Sequence, residues 1–335
     1  MNAIFKRILA GAVMTAALAS APVAASAKEP LKVAAISGYF SQGFGISIVN
    51  GLEKAKTDFG IELKIVDTGN RALDYEEQFN NLAKEGQYDL IFVMGWELVD
   101  ALQKSNKAYP DQRFVFIDGV LDSPTMTYID FVEEEGSFLV GALTGLLAEQ
   151  KVEGFDSGSE VGFIGGRDIP VIRNFLSGME QGVAAAAPDI SVSSVFAGTF
   201  DDPAKGSELA MTLYGQGVDV IYQAAGPTGE GVLQAAKAAR KYAVGVDIDQ
   251  CGTAPGAIVA SMLKRADIAV YDLIKGEEEG TPIKPGPVSF GVKAGGVELK
   301  VCDEVKDKIP ADVTAKVEEL RKGIADGAVA VKLNQ

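Results

Sequence analysis

The sequence predicts an α/β protein of two lobes, each a parallel sheet flanked by helices, joined by a multi-stranded hinge. Three observations predict it. Short apolar runs alternate with helix-periodic segments from residue 31 onward. The alternation passes through two consecutive units of similar size, separated near residues 151–159. The length left after an N-terminal leader, 308 of 335 residues, is enough for two separate cores. Strands separated by helices argue for parallel sheets built from right-handed βαβ units.

In chain order, residues 31–37 (LKVAAIS) read as a buried strand, and 44–59 as a helix with Ile48, Leu52 and Ala55 on one face. Residues 61–67 read as a strand, and 74–85 as a helix with Phe79 and Leu82 inward. A strand at 90–94, a helix at 97–108 and a strand at 113–117 follow, then an extended segment at 126–131 and an apolar helix at 135–149. The second unit repeats the theme. Its strands are 160–164, 190–196, 218–223 and 243–246, and its helices are 170–187, 203–216 and 230–239. Residues 257–261 read as extended, 267–275 as a helix and 311–325 as a terminal helix. The expected lobes are residues 28–150 plus about 252–290, and about 151–251 plus about 291–335. Such a return of the chain makes the linker multi-stranded, as in hinges that close on a ligand.

The first 27 residues read as a secretory leader: Lys6 and Arg7, an apolar stretch over 8–21 too short to span a membrane, and Ala25-Ser26-Ala27 as the cleavage signal. Cleavage is expected after Ala27, with export to the periplasm and no lipid anchor, because no cysteine lies near that site. The net charge of −15 becomes −17 without the leader, which contains no acid. A chain this acidic repels nucleic acid and anionic lipid. There is no histidine, so the commonest general base and the usual Ser-His and Cys-His pairs are excluded. Two cysteines without histidine make no ordinary zinc site. Cys251 and Cys302 could form a disulfide in an oxidising compartment or remain two buried thiols.

Ligands of open α/β folds bind at the carboxyl ends of strands. There, Val220 to Val232 (VIYQAAGPTGEGV) delivers Tyr222 and a small-residue loop, Val244 to Gln250 ends in carboxylates, and Ser261 to Asp267 adds a lysine. The loop lacks the lysine and spacing of a phosphate-binding motif. An aromatic face, an acid and a base at one edge suit a small polar ring compound held without chemistry. Trp96 follows a strand at the same edge and lines the cleft or packs in the core. Asp118 lines it or caps a turn. Arg167 meets a carbonyl-rich or anionic ligand, or pairs with Asp168. Glu133, Glu134 and Glu135 read as a solvated helix start.

Several segments together resemble the basic membrane protein family of exported solute-binding proteins, which includes bacterial purine nucleoside receptors. They are Glu135-Gly-Ser-Phe-Leu-Val-Gly141, Gly162-Phe-Ile-Gly-Gly-Arg-Asp-Ile-Pro-Val-Ile172, Gly198-Thr-Phe-Asp-Asp-Pro-Ala-Lys-Gly206, Tyr222-Gln-Ala-Ala-Gly-Pro-Thr-Gly-Glu-Gly231, Gly245-Val-Asp-Ile-Asp-Gln250 and Ser261-Met-Leu-Lys-Arg-Ala-Asp267. The resemblance implies a type I periplasmic-binding-protein fold that docks onto the permease of an ATP-driven importer. It implies stacking rings at Phe44 and Tyr222, ribose contacts at Asp247 and Lys264, and a ribose-lining backbone at Gly226 and Pro227. The family's first loop, Asp-x-Ser-Phe-Asn, is here Ser41-Gln-Gly-Phe-Gly45, so Ser41 takes the place of the acid and Gly45 that of the amide.

The expected protein is therefore a monomeric periplasmic receptor of an ABC importer that needs no cofactor and closes on a purine nucleoside. A flavin or another non-nucleoside ligand, and a sensory ligand-binding subunit, are the alternatives. A nucleoside hydrolase using paired carboxylates ranks last, because Asp202-Pro203 reads as a helix start.

Overall fold

Residues 33–36 are apolar and form the centre of β1 (Lys32–Ser37), where Val33 to Ile36 have no exposed surface. The computed structural model describes residues 29–333 except 42, 70, 85, 157 and 158. The leader expected over residues 1–27, and Gln42, lie outside the described residues.

After β1 come α1 (Gly43–Phe59), β2 (Glu62–Asp67), α2 (Tyr75–Lys84), β3 (Leu90–Met94), α3 (Val99–Ala108), β4 (Phe114–Ile117) and β5 (Thr127–Phe131). Ile48, Leu52 and Ala55 of α1 are buried on one face, as their spacing demands. The chain then forms α4 (Glu133–Glu149), β6 (Glu160–Gly165), α5 (Pro170–Ala186), β7 (Ser191–Phe196), α6 (Pro203–Gly215), β8 (Val220–Ala224), α7 (Pro227–Ala239), β9 (Tyr242–Asp247) and β10 (Ile258–Lys264). It ends with α8 (Ala266–Glu278), β11 (Gly286–Phe290), β12 (Val297–Val301) and α9 (Ala311–Ala325).

Two six-stranded sheets result, ordered β11-β5-β4-β3-β1-β2 and β12-β10-β9-β8-β6-β7. All pairings in the first are parallel, with Val33 opposite Leu63 and Leu90. In the second, only β12 runs antiparallel, against β10. β11 and β12 are edge strands that the sequence pattern does not predict. The first carries Pro287, which an edge tolerates because its missing N–H faces no partner.

The lobe boundaries differ from those expected near residues 151 and 252. The chain leaves the first sheet after β5, at Val132, because α4 is apolar all round and must be covered. α4 packs on α5 of the second lobe along a seam so close that a Cβ on Gly141 would sit 2.1 Å from the Met179 carbonyl oxygen, and one on Gly182 2.0 Å from that of Phe138. β10 stays in the second sheet beside β9, so the return to the first lobe comes at Arg265, where α8 packs on α1. The third crossing lies between β11 and β12. The crossings are tied together: the Val132 N–H donates to the Phe290 carbonyl at 3.2 Å, and the Arg265 N–H to that of Gly296 at 2.8 Å.

The first turn of α4 lies at that crossing, and this corrects the reading of its three glutamates as solvated. Glu133 and Glu134 are buried, Glu133 accepting from Asn174 Nδ2 at 3.0 Å, and Glu135 Oε2 accepts the Val292 N–H at 2.7 Å. Of the two alternatives for the cysteines, the structure has the disulfide, Cys251–Cys302, with Cα atoms 5.5 Å apart. It closes the excursion through β10, α8, β11 and β12 across 51 residues, a constraint of about 4 kcal/mol in the chain-entropy view.

Candidate ligand-binding cleft

A cavity of about 480 Å³ opens between the carboxyl edges of the two sheets. The first lobe lines it with Tyr39 from the β1–α1 loop, Gly43 to Gly45 from the first turn of α1, Met94 to Glu97 at the end of β3 and just after it, and Ile117 and Asp118 at the end of β4. The second lobe contributes Arg167 after β6, Phe175 from α5, Gly198 to Asp201 after β7, Gly226, Pro227 and Glu230 at the start of α7, Asp247 at the end of β9, and Lys264 at the end of β10. α7 begins at Pro227 rather than at Glu230 as expected, with proline at its first position, so the positive end of the helix dipole adjoins the cavity.

One part of the cavity wall is a charged cluster. Lys264 is 1% exposed and donates to Asp118 Oδ1, a contact that joins β10 of one lobe to β4 of the other. Its Nζ also lies over three ring faces, Phe44 at 4.9 Å, Phe131 at 5.1 Å and Phe175 at 5.2 Å. Burial alone would drive the ammonium pKa down. The charges of Asp118, Glu133 and Asp247 and the bond to Asp118 outweigh it and hold the pKa above its ordinary value.

Asp247 has its carboxyl pKa pushed up to about 6, chiefly by burial, with Lys264 opposing and Asp118 adding. The same cause, burial, raises Glu133 strongly and takes Glu134 to about 7. Asp118 and Asp247 both have left-handed backbones, φ 77° and 67°, uncommon for residues other than glycine. Each terminates a strand there and turns its carboxylate to the cavity wall, a sparsely populated conformation of the kind that clusters at ligand clamps. The Asp247 carboxylate accepts no hydrogen bond among the described residues, so it is free to accept two hydroxyls.

A second set of polar groups on the cavity wall is unpaired among the described residues. Trp96 packs edge-on to Phe116, with ring centroids 5.6 Å apart, and its Nε1 is buried with no hydrogen-bond partner among the described residues. Glu97 Oε1 is likewise buried and unpartnered. Burial raises the Glu97 pKa, while its own backbone amide and the charge of Arg167 across the cavity hold it back. Asp168 pairs with Arg173, so the Arg167 guanidinium is left without an ion pair among the described residues.

Phe44, Trp96, Asp118, Arg167, Gly226, Pro227, Asp247 and Lys264 thus share one cavity, and two expected site residues do not. Ser41 is exposed on the β1–α1 turn and is not on the cavity wall. Tyr222 has no exposed surface: its hydroxyl lies 3.2 Å from Ser137 Oγ, and its ring packs against Phe163 and Phe175. The reason is position along the strand. Tyr222 is the middle residue of β8, where a central strand faces helix layers on both sides, and only residues past the strand end reach the cleft. Phe200, on the loop after β7, is a ring of the second lobe that lines the cavity with Phe44. Its motif, Gly198-Thr-Phe-Asp-Asp-Pro, follows a strand and was signal enough to find it. Glu97 was hidden because it reads as the first turn of a helix.

Gly45 has a steric cause. A Cβ there would lie 2.1 Å from the Tyr39 carbonyl oxygen and 2.8 Å from the Phe40 Cα, so no side chain fits while the Tyr39 loop folds back onto α1. Tyr39 lines the cavity beside it.

Residues 33–335 match the model of the family described as Bmp, ABC transporter substrate-binding protein PnrA-like. The chain is 34% identical over 275 residues to the CD4+ T-cell-stimulating antigen of Listeria monocytogenes, covering 77% of this chain and 74% of the relative. It is 30% identical over 280 residues to the ABC transporter nucleoside-binding protein BmpA of Lactococcus lactis subsp. cremoris, covering 78% and 76%. A crystal structure of an ABC transporter system solute-binding protein from Aeropyrum pernix K1 superposes with TM-score 0.80 at 26% identity, over 91% of this chain and 94% of that one.

Proposed function

We propose a ligand for this chain, which belongs to the PnrA-like family of ABC transporter substrate-binding proteins: a purine nucleoside, with its ribose at Asp118, Asp247 and Lys264 and its base between Phe44 and Phe200. The family consists of binding proteins and not enzymes. The observation that carries the ligand class is the pairing of a buried lysine and two strand-end aspartates with aromatic rings from both lobes around one cavity. Vicinal hydroxyls suit a carboxylate that accepts twice beside an ammonium that donates. A flat heterocycle buries both faces between rings. A cavity of about 480 Å³ suits a ligand of that size. The lactococcal relative is described as nucleoside-binding.

The Lys264–Asp118 contact exists only while the lobes are together, and a ligand touching both lobes favours that state by differential contact. The receptor is exported to the periplasm by its leader, acts as a monomer and delivers its ligand to the permease of an ABC importer. The three crossing segments form the hinge, which leaves the lobe assignment as residues 31–132 with 265–290, and 133–264 with 297–333.

The test is a thermal-shift screen of purine nucleosides, free bases, flavins and organic acids, followed by calorimetry. A purine nucleoside is expected to raise Tm by mass action. Response to a flavin or an organic acid, with silence to every purine nucleoside, overturns the reading.

A further inference from the structure

We infer that the Trp96–Glu97 part of the cleft wall selects a purine that presents two adjacent N–H donors, the 6-oxo-2-amino edge of guanine, over adenine. The inference rests on the nucleoside reading above and adds the identity of the base. Three groups carry it; the Trp96 ring also packs against Phe116, but its N–H takes no part in that contact. Trp96 Nε1 and Glu97 Oε1 are buried without hydrogen-bond partners, and Arg167 reaches the same cavity from the opposite lobe without an ion pair among the described residues. Leaving a buried donor and acceptor unpaired costs about 1–3 kcal/mol each, so the site is complete only with a ligand that supplies both partners.

The chemistry of the two charged groups is selective. An ionised carboxylate only accepts. Guanine offers it N1–H and the 2-amino group side by side, whereas the matching edge of adenine turns the N1 lone pair toward it. A guanidinium only donates, and its fork matches the O6 and N7 acceptors of guanine. Adenine places a 6-amino donor where O6 would be. Both charged groups therefore favour guanine and disfavour adenine. They carry opposite charge, which suits a neutral base. Hypoxanthine keeps N1–H, O6 and N7 but lacks the 2-amino group, and ranks between them. Close to Phe44, the first-loop positions 41 and 45 hold no such reader: Ser41 is exposed off the wall and Gly45 has no room for a side chain.

The experiment is calorimetric titration of the full chain with guanosine, inosine and adenosine, which share one ribose. Guanosine is expected to bind about 10–100-fold more tightly than adenosine, with inosine between. Glu97→Gln keeps the shape and removes the charge, and is expected to narrow the guanosine–adenosine ratio to within about threefold. Arg167→Ala changes an exposed side chain, so it tests the inference where Glu97→Gln fails to fold, and it is expected to weaken guanosine more than adenosine. Equal or tighter binding of adenosine by the unmodified chain overturns the inference, as does a ratio that Glu97→Gln leaves unchanged. Failure of all three nucleosides to bind defeats the nucleoside reading itself, and this inference with it.

Discussion

In one part of the cleft wall Lys264 is surrounded: Asp118 accepts its hydrogen bond, Phe44, Phe131 and Phe175 present ring faces, and Glu133 and Asp247 add charge. In another, Trp96 Nε1 and Glu97 Oε1 have no hydrogen-bond partner among the described residues. Both regions are polar and both are buried, and the difference is whether the protein supplies the partners. A group satisfied internally is held in place by the protein itself once the lobes are together, so it contributes orientation and affinity to any ligand with the right hydroxyls. An orphaned group gains only from a ligand that completes it, and so it discriminates. Affinity should then be concentrated at Lys264 and selectivity at Glu97.

The largest effect expected from breaking this contrast is Lys264→Met. It leaves Asp118, Glu133 and Asp247 without their shared cation, and losing one partner of a buried pair costs about 3–5 kcal/mol. Denaturant unfolding should show that loss, together with abolished nucleoside binding in calorimetry. Unchanged stability would mean that the cluster is not the rigid part.

Next comes pH. Asp247 has a folded pKa of about 6, above its ordinary 3.8, so the folded state holds more protons than the unfolded one between those values. Stability of the ligand-free protein should therefore fall as pH rises from about 4 to 6, with Glu134 extending the decline toward 7. Nucleoside affinity should move the opposite way, rising about tenfold from pH 5 to 7, because only the ionised carboxylate accepts from two hydroxyls. Titrations at both pH values on the unmodified chain and on Asp247→Asn, which should flatten the profile, check it. A parallel trend in affinity and stability would break it.

Phe200→Ala should weaken binding by roughly threefold to tenfold through lost stacking, with little change in the unfolding midpoint, since the ring is half-buried on a loop. The smallest effect belongs to Tyr222→Phe. It removes only the contact with Ser137, about 1 kcal/mol of stability, and should leave nucleoside affinity unchanged. A loss of affinity there would return Tyr222 to the cleft.

The alternation of strands and helices was legible because each element carries its own period. Val33 to Ile36 are apolar on both faces and prove buried, and Ile48, Leu52 and Ala55 fall on one helix face. Most cleft residues were legible for a related reason: in a parallel sheet the loops after the strands share one edge, and Trp96, Asp118, Asp247 and Lys264 all sit at strand ends. Tyr222 misled because it lies two residues before its strand end, a distance that separates core from cleft. The glutamates opening α4 misled because a charged first turn looks solvated until the second lobe covers it. β11 and β12 escaped because an edge strand has a weak, half-buried pattern.

Local chemistry along the chain therefore determined the element list apart from β11 and β12, the absence of histidine chemistry and the edge at which the cavity lies. Those properties are settled by neighbours a few residues apart, through side-chain period, turn chemistry and charge. The tertiary structure alone decided where the chain crosses between lobes, that Cys251 and Cys302 meet, that Lys264 bridges to Asp118 across 146 residues, and which polar groups remain unpaired. Pairing and its absence depend on strand order and on which helices cover which face. Segments far apart in the chain settle these, and no local pattern encodes them.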